Sequence, residues 1–220
     1  MTEILLLALL SFFAIRSTYN VTDNIEEISD KIGNRLGKLW EVAAQGMREN
    51  KLLRAEKALL TILKIDEKNA AAYNRLGILY AKQKEFKDAI DCFEIASSIE
   101  KSASSLHNLG LIYYETGDYS RAAVAFEEAI ALDEGMAARH IAYAKVQEKL
   151  SNDKKMISEL ERAAELEPNR ETFSLLLHAY EVKGLEDKTK ALKAKIHKLA
   201  QGARKNVKKK RLQRPARVVI

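Results

Sequence analysis

Apolar residues along most of this chain recur at helical spacing, three or four apart, and they come in paired stretches separated by short polar turns. Leu76, Gly77 and Tyr80 fall on one face of a predicted helix, and Ala89, Phe93 and Ala96, at steps of four and three, fall on one face of the next. Small residues at these places let the two helices approach closely, while the large ones fill the gap to the next pair. A turn such as Glu115, Thr116, Gly117, Asp118 closes a pair, because glycine adopts the left-handed conformation that ends a helix. The elements predicted are helical hairpins.

The hairpins repeat at a fixed period. Leu76, Gly77, Tyr80, Phe86, Ala89, Phe93, Ala96 and Ile99 return 33 residues later as Leu109, Gly110, Tyr113, Tyr119, Ala122, Phe126, Ala129 and Leu132. A further 34 residues on, Tyr143, Ala144, Leu160, Ala163 and Leu166 form a weaker copy, with Gln147 in the tyrosine place and Met156 in a small-residue place. Ala55, Leu59 and Ile62 belong to a first copy beginning near Leu36, and Leu176, Tyr180 and Gly184 to a last one whose second helix is made more polar by Thr189 and Lys193. Each hairpin is too small to bury its own apolar face, so neighbours must stack.

The runs from Tyr73 to Ala96 and from Leu106 to Leu132 resemble tetratricopeptide repeats, and the resemblance covers about residues 36–200. It implies an all-α fold: a right-handed α-solenoid of stacked helical hairpins, near 36–69, 70–102, 103–136, 137–169 and 170–200. In that family the first helices of successive hairpins line a concave groove for a partner peptide or helix. Carried onto this sequence, the groove positions are Trp40, Asn74, Ile78, His107, Leu111, Tyr114, Ile141 and Lys145. Packing between hairpins competes with binding for each of them. The lysine and arginine set with which co-chaperone members hold a C-terminal carboxylate is not matched, since Ala138 and Ala142 stand where bases would fall.

Residues 1–19 have no place in the repeat. Ile4 to Ile15 is apolar except for Ser11 and, as a helix, would cover roughly 18 Å of the ~30 Å bilayer core, so a span would need Thr2 to Tyr19. An uncleaved membrane anchor, a helix packed on protein and a cleaved signal peptide compete here; the last lacks a basic start and a small-residue cleavage site. For an anchor, Arg16, Lys31 and Arg35 place the repeats on the cytoplasmic side. The runner-up is a soluble cytoplasmic adaptor, and the second alternative an RNA- or ribosome-associated factor working through its basic C-terminal tail. Between this segment and the array, residues 20–35 read as an amphipathic lead-in helix whose stripe, Ile25, Ile28, Ile32, Leu36 and Leu39, continues to Ala43.

Composition adds two points. Only two prolines and nine glycines occur in 220 residues, as suits long helices. The net charge of +6 conceals a split: thirteen of the 37 Lys and Arg lie from Lys188 onward, leaving 24 against 31 acids before it. The tail, residues 201–220, is read as disordered, with Lys208, Lys209, Lys210, Arg211, Arg214 and Arg217 as an anion-binding set. It has no aromatic residue to stack on bases, so attraction to anionic lipid or non-specifically to nucleic acid competes with a purely solubilising role. Chemistry-bearing motifs are missing: His107, His140, His178 and His197 lack ligand spacing, and Cys92 sits among acids that disfavour its thiolate. No metal, cofactor or catalytic residue is expected, and function must lie in surfaces.

Overall fold

The computed structural model describes residues 27–212, with side chains through residue 201; within them every regular element is a helix. The expected hydrophobic helix at the N-terminus lies outside the described residues. The described residues form two compact units that meet in sequence between Glu100 and Lys101. The first unit holds α1 (residues 27–48), α2 (Leu52–Ile65), α3 (Ala70–Gln83) and α4 (Phe86–Ile99). The second holds α5 (Ala103–Glu115), α6 (Tyr119–Leu132), α7 (Ala137–Lys149), α8 (Asp153–Leu166), α9 (Arg170–Val182) and α10 (Glu186–Leu212). Odd and even helices pair as hairpins.

One turn closes all five hairpins. A residue with positive φ follows the first helix each time: Asn50, Lys84, Gly117, Ser151 and Gly184. The next amide then donates to a carbonyl five residues back, as from Lys51 to Gly46, Glu85 to Tyr80, Asp118 to Tyr113, Asn152 to Gln147 and Leu185 to Tyr180, at 2.8–2.9 Å. The accepting residue is always the one in the tyrosine place of the repeat. Glycine meets the backbone demand at only two of these turns. Lys84, at φ 64°, and Ser151, at φ 58°, adopt it against the clash between Cβ and carbonyl that makes this region costly for other residues.

In the α3–α4 and α5–α6 hairpins the helices meet at a glycine and a ring. A Cβ placed on Gly77 would lie 2.6 Å from the Phe93 ring, and one on Gly110 3.0 Å from the Phe126 ring. Both rings are almost wholly buried. In the α1–α2 hairpin a Cβ on Gly46 would come within 3.0 Å of Ala55. The stacking between hairpins differs in kind, being built from larger aliphatic and aromatic groups. In the first unit Leu59 and Ile62 of α2 share a core with Ala72, Leu76 and Leu79 of α3. In the second, Met156, Leu160 and Ala164 of α8 pack with Phe173, Leu176 and Tyr180 of α9 and Leu192 of α10. A tyrosine hydroxyl fastens the stack in each unit: Tyr80 donates to Glu56 at 3.0 Å, and Tyr180 to Glu161 at 2.6 Å.

Two boundaries differ from expectation. Gly33 and Gly37 do not break α1, which runs unbroken from residue 27 to 48, so the division drawn at 35/36 falls inside a helix. The tail expected to be disordered is helical as far as Leu212. Its composition explains this: Lys, Arg, Ala and Leu favour helix, Glu186 and Asp187 oppose the dipole at the start, and bases favour its end.

The turn and the glycine contact give opposite mutational signs. Lys84→Gly should raise stability by up to ~1 kcal/mol by relieving the left-handed strain. Gly77→Ala should lower it by ~1–3 kcal/mol through overpacking against Phe93. Urea unfolding of the two variants checks both; equal shifts in one direction would refute the assignment.

Candidate partner-binding faces

The first helices, α1, α3, α5, α7 and α9, carry the candidate positions. In the first unit Trp40 is half-buried against the core and its ring lies under the Arg75 guanidinium, 4.9 Å from centroid to carbon. Asn74 and Ile78 of α3 are half-buried. Trp40 thus spends much of its surface on packing.

In the second unit the candidates are better presented. Leu111 of α5 is 38% exposed. Tyr114 is half-buried and its ring tilts against that of Tyr119, centroids 5.6 Å apart, beside the hairpin turn. His107 meets the Phe126 ring edge-on at 5.4 Å, and its Nδ1 is buried without a hydrogen-bond partner. Burial first, and the Arg139 charge second, pull the His107 imidazole below its ordinary value. Ile141 is half-buried and Lys145 exposed, and both open onto one concavity.

That concavity, of about 160 Å³, lies between α7 and α9. Its apolar wall comes from Ile141, Ala144, Met156, Leu160, Leu175 and Ala179, and its rim carries Lys145, Glu148, His178 and Lys183. Lys183 is already engaged, 2.7 Å from Asp153. The Lys145 ammonium has no ion pair among the described residues. Leu175 and His178 escaped the sequence reading because the fifth copy is degenerate there. The period held the signal: Ile78, Leu111, Lys145 and His178 follow one another at 33, 34 and 33 residues.

Beneath this face lies a polar cluster that the repeat pattern does not announce. His140, 4% exposed, sets Nδ1 2.7 Å from the Glu159 carboxylate and Nε2 3.0 Å from the Glu134 carbonyl. Lys155 approaches Glu159 from the other side at 3.3 Å. Arg139, 3% exposed, donates to both the carbonyl and the carboxylate of Asp133, and that hydrogen bond, with one from the Gly135 amide, lowers the Asp133 carboxyl. These contacts fix the α6–α7 connection and leave both residues inaccessible to a partner.

Other candidate chemistry is quiet. Cys92 is buried in the first unit's core, where burial and then the Asp88 and Asp91 charges push its thiol up to about 11, so no thiolate forms near neutrality. Among the described residues no group of His, Cys, Asp or Glu is placed to hold a metal ion. No helix among them is long and apolar enough to cross a membrane. Residues 4–15, and Arg214 and Arg217 of the anion-binding set, lie outside the described residues, while Lys208, Lys209, Lys210 and Arg211 fall on α10.

Comparison with known proteins places this geometry in a family context. Residues 68–135 match the tetratricopeptide repeat family. None of the curated protein sequences compared with the chain matches it. Among solved structures, that of a MamA protein aligns with 85% of this chain and 100% of its own, at 22% identity and a TM-score of 0.63. MamA 41-end from Desulfovibrio magneticus RS-1 aligns over 76% of this chain and 96% of its own, at 14% identity and a TM-score of 0.66. YrrB, described as a TPR protein with an unusual peptide-binding site, aligns over 74% and 88%, at 23% identity and 0.58. At these identities the likeness is one of fold.

The histidine generates a pH prediction. Because folding holds His107 below its ordinary value near 6.5, the unfolded chain binds the extra proton as pH falls past that value. The stability contributed by the neutral ring is therefore complete above about pH 6.5 and lost as pH falls through the folded value. His107→Phe should reduce the drop in urea midpoint between pH 7.5 and pH 5; an unchanged drop would show that His107 is not its source.

Proposed function

Taking the tetratricopeptide repeats of residues 68–135 as the premise, we propose that this protein is a scaffold that holds a peptide or helix of a partner protein against the exposed faces of its first helices. The observation that carries the reading is the concavity between α7 and α9. It opens at Ile141 and Lys145, two positions that the family pattern assigns to partner contact, and it continues at Leu175 and His178 one repeat further on. An apolar hollow with a charged rim suits one anchoring side chain flanked by polar residues. With Lys145 unpaired, an acidic residue beside the apolar anchor completes the match. The description of YrrB as peptide-binding supports the same use of the fold.

The anchor takes its chemistry from the wall, so the wall should govern affinity. Peptides selected from a random display library on the full chain should lose about tenfold or more in affinity on Ile141→Asp or Leu175→Asp, the scale of losing a central apolar contact. Val124→Asp, at a 57% exposed position on the second helix α6, is the control and should leave affinity unchanged. Equal losses in all three variants, or in none, would sink the reading. The apolar run Ile4–Ile15 supports a scaffold tethered to a membrane with its repeats on the cytoplasmic side. In membranes washed at about 1 M salt, which screens surface charge attraction, deleting residues 1–19 should then move the chain to the soluble fraction, and a full chain already soluble under that wash would contradict the tether.

A further inference from the structure

The last helix is built on a different plan from the others. α10 has 27 residues, whereas α9, the helix it pairs with, has 13. At ~1.5 Å per residue the extra fourteen residues extend roughly 21 Å beyond the length of α9. Its first half is bound into the second unit: Leu192 is buried and Ile196 half-buried against the cluster formed by α8 and α9. The bases of that half are also engaged. Lys188 pairs with Glu161 at 2.8 Å, Lys193 with Glu181 at 2.8 Å, and Lys195 lies 5.7 Å from the Phe173 ring centroid.

Beyond Ile196 the apolar stripe continues along the sequence of α10. Leu199, next on the line through Leu192 and Ile196, is 49% exposed. The helical register carries the same line on to Ala203 and Val207. Around it the sequence places Lys198, Arg204, Lys205, Lys208, Lys209 and Arg211, Lys210 ends the line itself, and no acidic residue follows Asp187. By sequence and helical register the distal half of α10 is amphipathic and basic.

We propose that the distal half of α10, from Lys198 to Leu212, is a binding element for an anionic membrane surface, lying in the interface with its apolar line toward the acyl chains and its bases toward the headgroup phosphates. Charge complementarity names the occupant as an anionic one, and the apolar line chooses among anions. A helix bound to RNA through its phosphates would have no use for an exposed Leu199, and residues 185–220 contain no Phe, Tyr or Trp to stack on bases. An interfacial helix uses both faces. This inference is independent of the peptide-binding face on α7 and α9, and it needs no span by residues 4–15.

Flotation of the full chain with vesicles tests it. Phosphatidylcholine vesicles are compared, at about 0.1 M salt, with vesicles carrying about 30 mol % phosphatidylserine. The readout is the ratio of partitioning between the two, which an uncharged apolar segment elsewhere in the chain does not change. The serine lipid should raise partitioning by about tenfold or more. Lys205→Glu with Lys208→Glu and Lys209→Glu should bring the ratio to about one, while arginine at those three places should preserve it. Leu199→Asp with Val207→Asp should lower partitioning onto the anionic vesicles by about tenfold. Circular dichroism matching the parent chain confirms that each variant keeps its fold. A ratio near one for the parent chain overturns the proposal. So does full vesicle binding by the Leu199→Asp, Val207→Asp variant combined with displacement by single-stranded RNA, since that pattern belongs to a general polyanion binder.

Discussion

Two helices of about fourteen residues cannot hide the apolar surface that their own pairing creates. Pairing consumes the small residues: Gly77 gives way to Phe93 and Gly110 to Phe126 at distances that leave no room for a methyl group. The larger side chains remain on the outer side of each pair, and only another pair can cover them. In the first unit Leu59 and Ile62 find Leu76 and Leu79; in the second, Leu160 and Ala164 find Phe173 and Leu176. Burying each such side chain contributes roughly 1.5–3 kcal/mol, well above what helix propensity or capping adds per residue. Within each unit, stacking therefore follows from the size pattern of the repeat, which sets a first helix of one pair beside the next pair.

Most of that logic was legible in the sequence because it depends on residue size at a fixed period. The small residues at Gly77 and Gly110 marked the close approach of paired helices, whereas Phe93 and Phe126, expected to reach the next pair, pack on those glycines inside their own. The carbonyl that closes each turn belongs to the residue in the tyrosine place, even where Gly46 or Gln147 occupies it. What the sequence hid were features independent of size. Asn50, Lys84 and Ser151 adopt a left-handed turn that their side chains do not advertise, because the backbone geometry of the repeat imposes it. His140 and Glu159 lie nineteen residues apart, and neither carries a recognisable motif; only the packing of α7 on α8 shows that they form a pair. Of the candidate face, Ile141 and Lys145 were found by period, while Leu175 and His178 were lost where the fifth copy degenerates. The helical course of residues 201–212 was missed because a strongly basic composition reads as solvated chain, although its residues are good helix formers and its charges suit the helix dipole.

Polar groups divide the labour with this apolar frame. Tyr80 with Glu56, and Tyr180 with Glu161 and Lys188, sit at the edges of the stacks and fix their register. Burial alone would raise the Glu161 carboxyl, but its bonds from Lys188 and Tyr180 outweigh that and lower it, so the group remains an anion and an acceptor. Lys145 and His178, at the rim of the concavity, are exposed, and Lys145 makes no ion pair among the described residues.

Neighbouring hairpins seal one another, and hydrogen exchange on a chain ended after Pro168 tests that dependence. Without α9 and α10, Met156, Leu160 and Ala164 lose the side chains that cover them. The amides of α8 should then exchange at least about a hundredfold faster than in the full chain, which is the loss of roughly 3 kcal/mol of local protection. Protection of α8 unchanged by the truncation would mean that a hairpin is stable by itself, and stacking would no longer explain the fold.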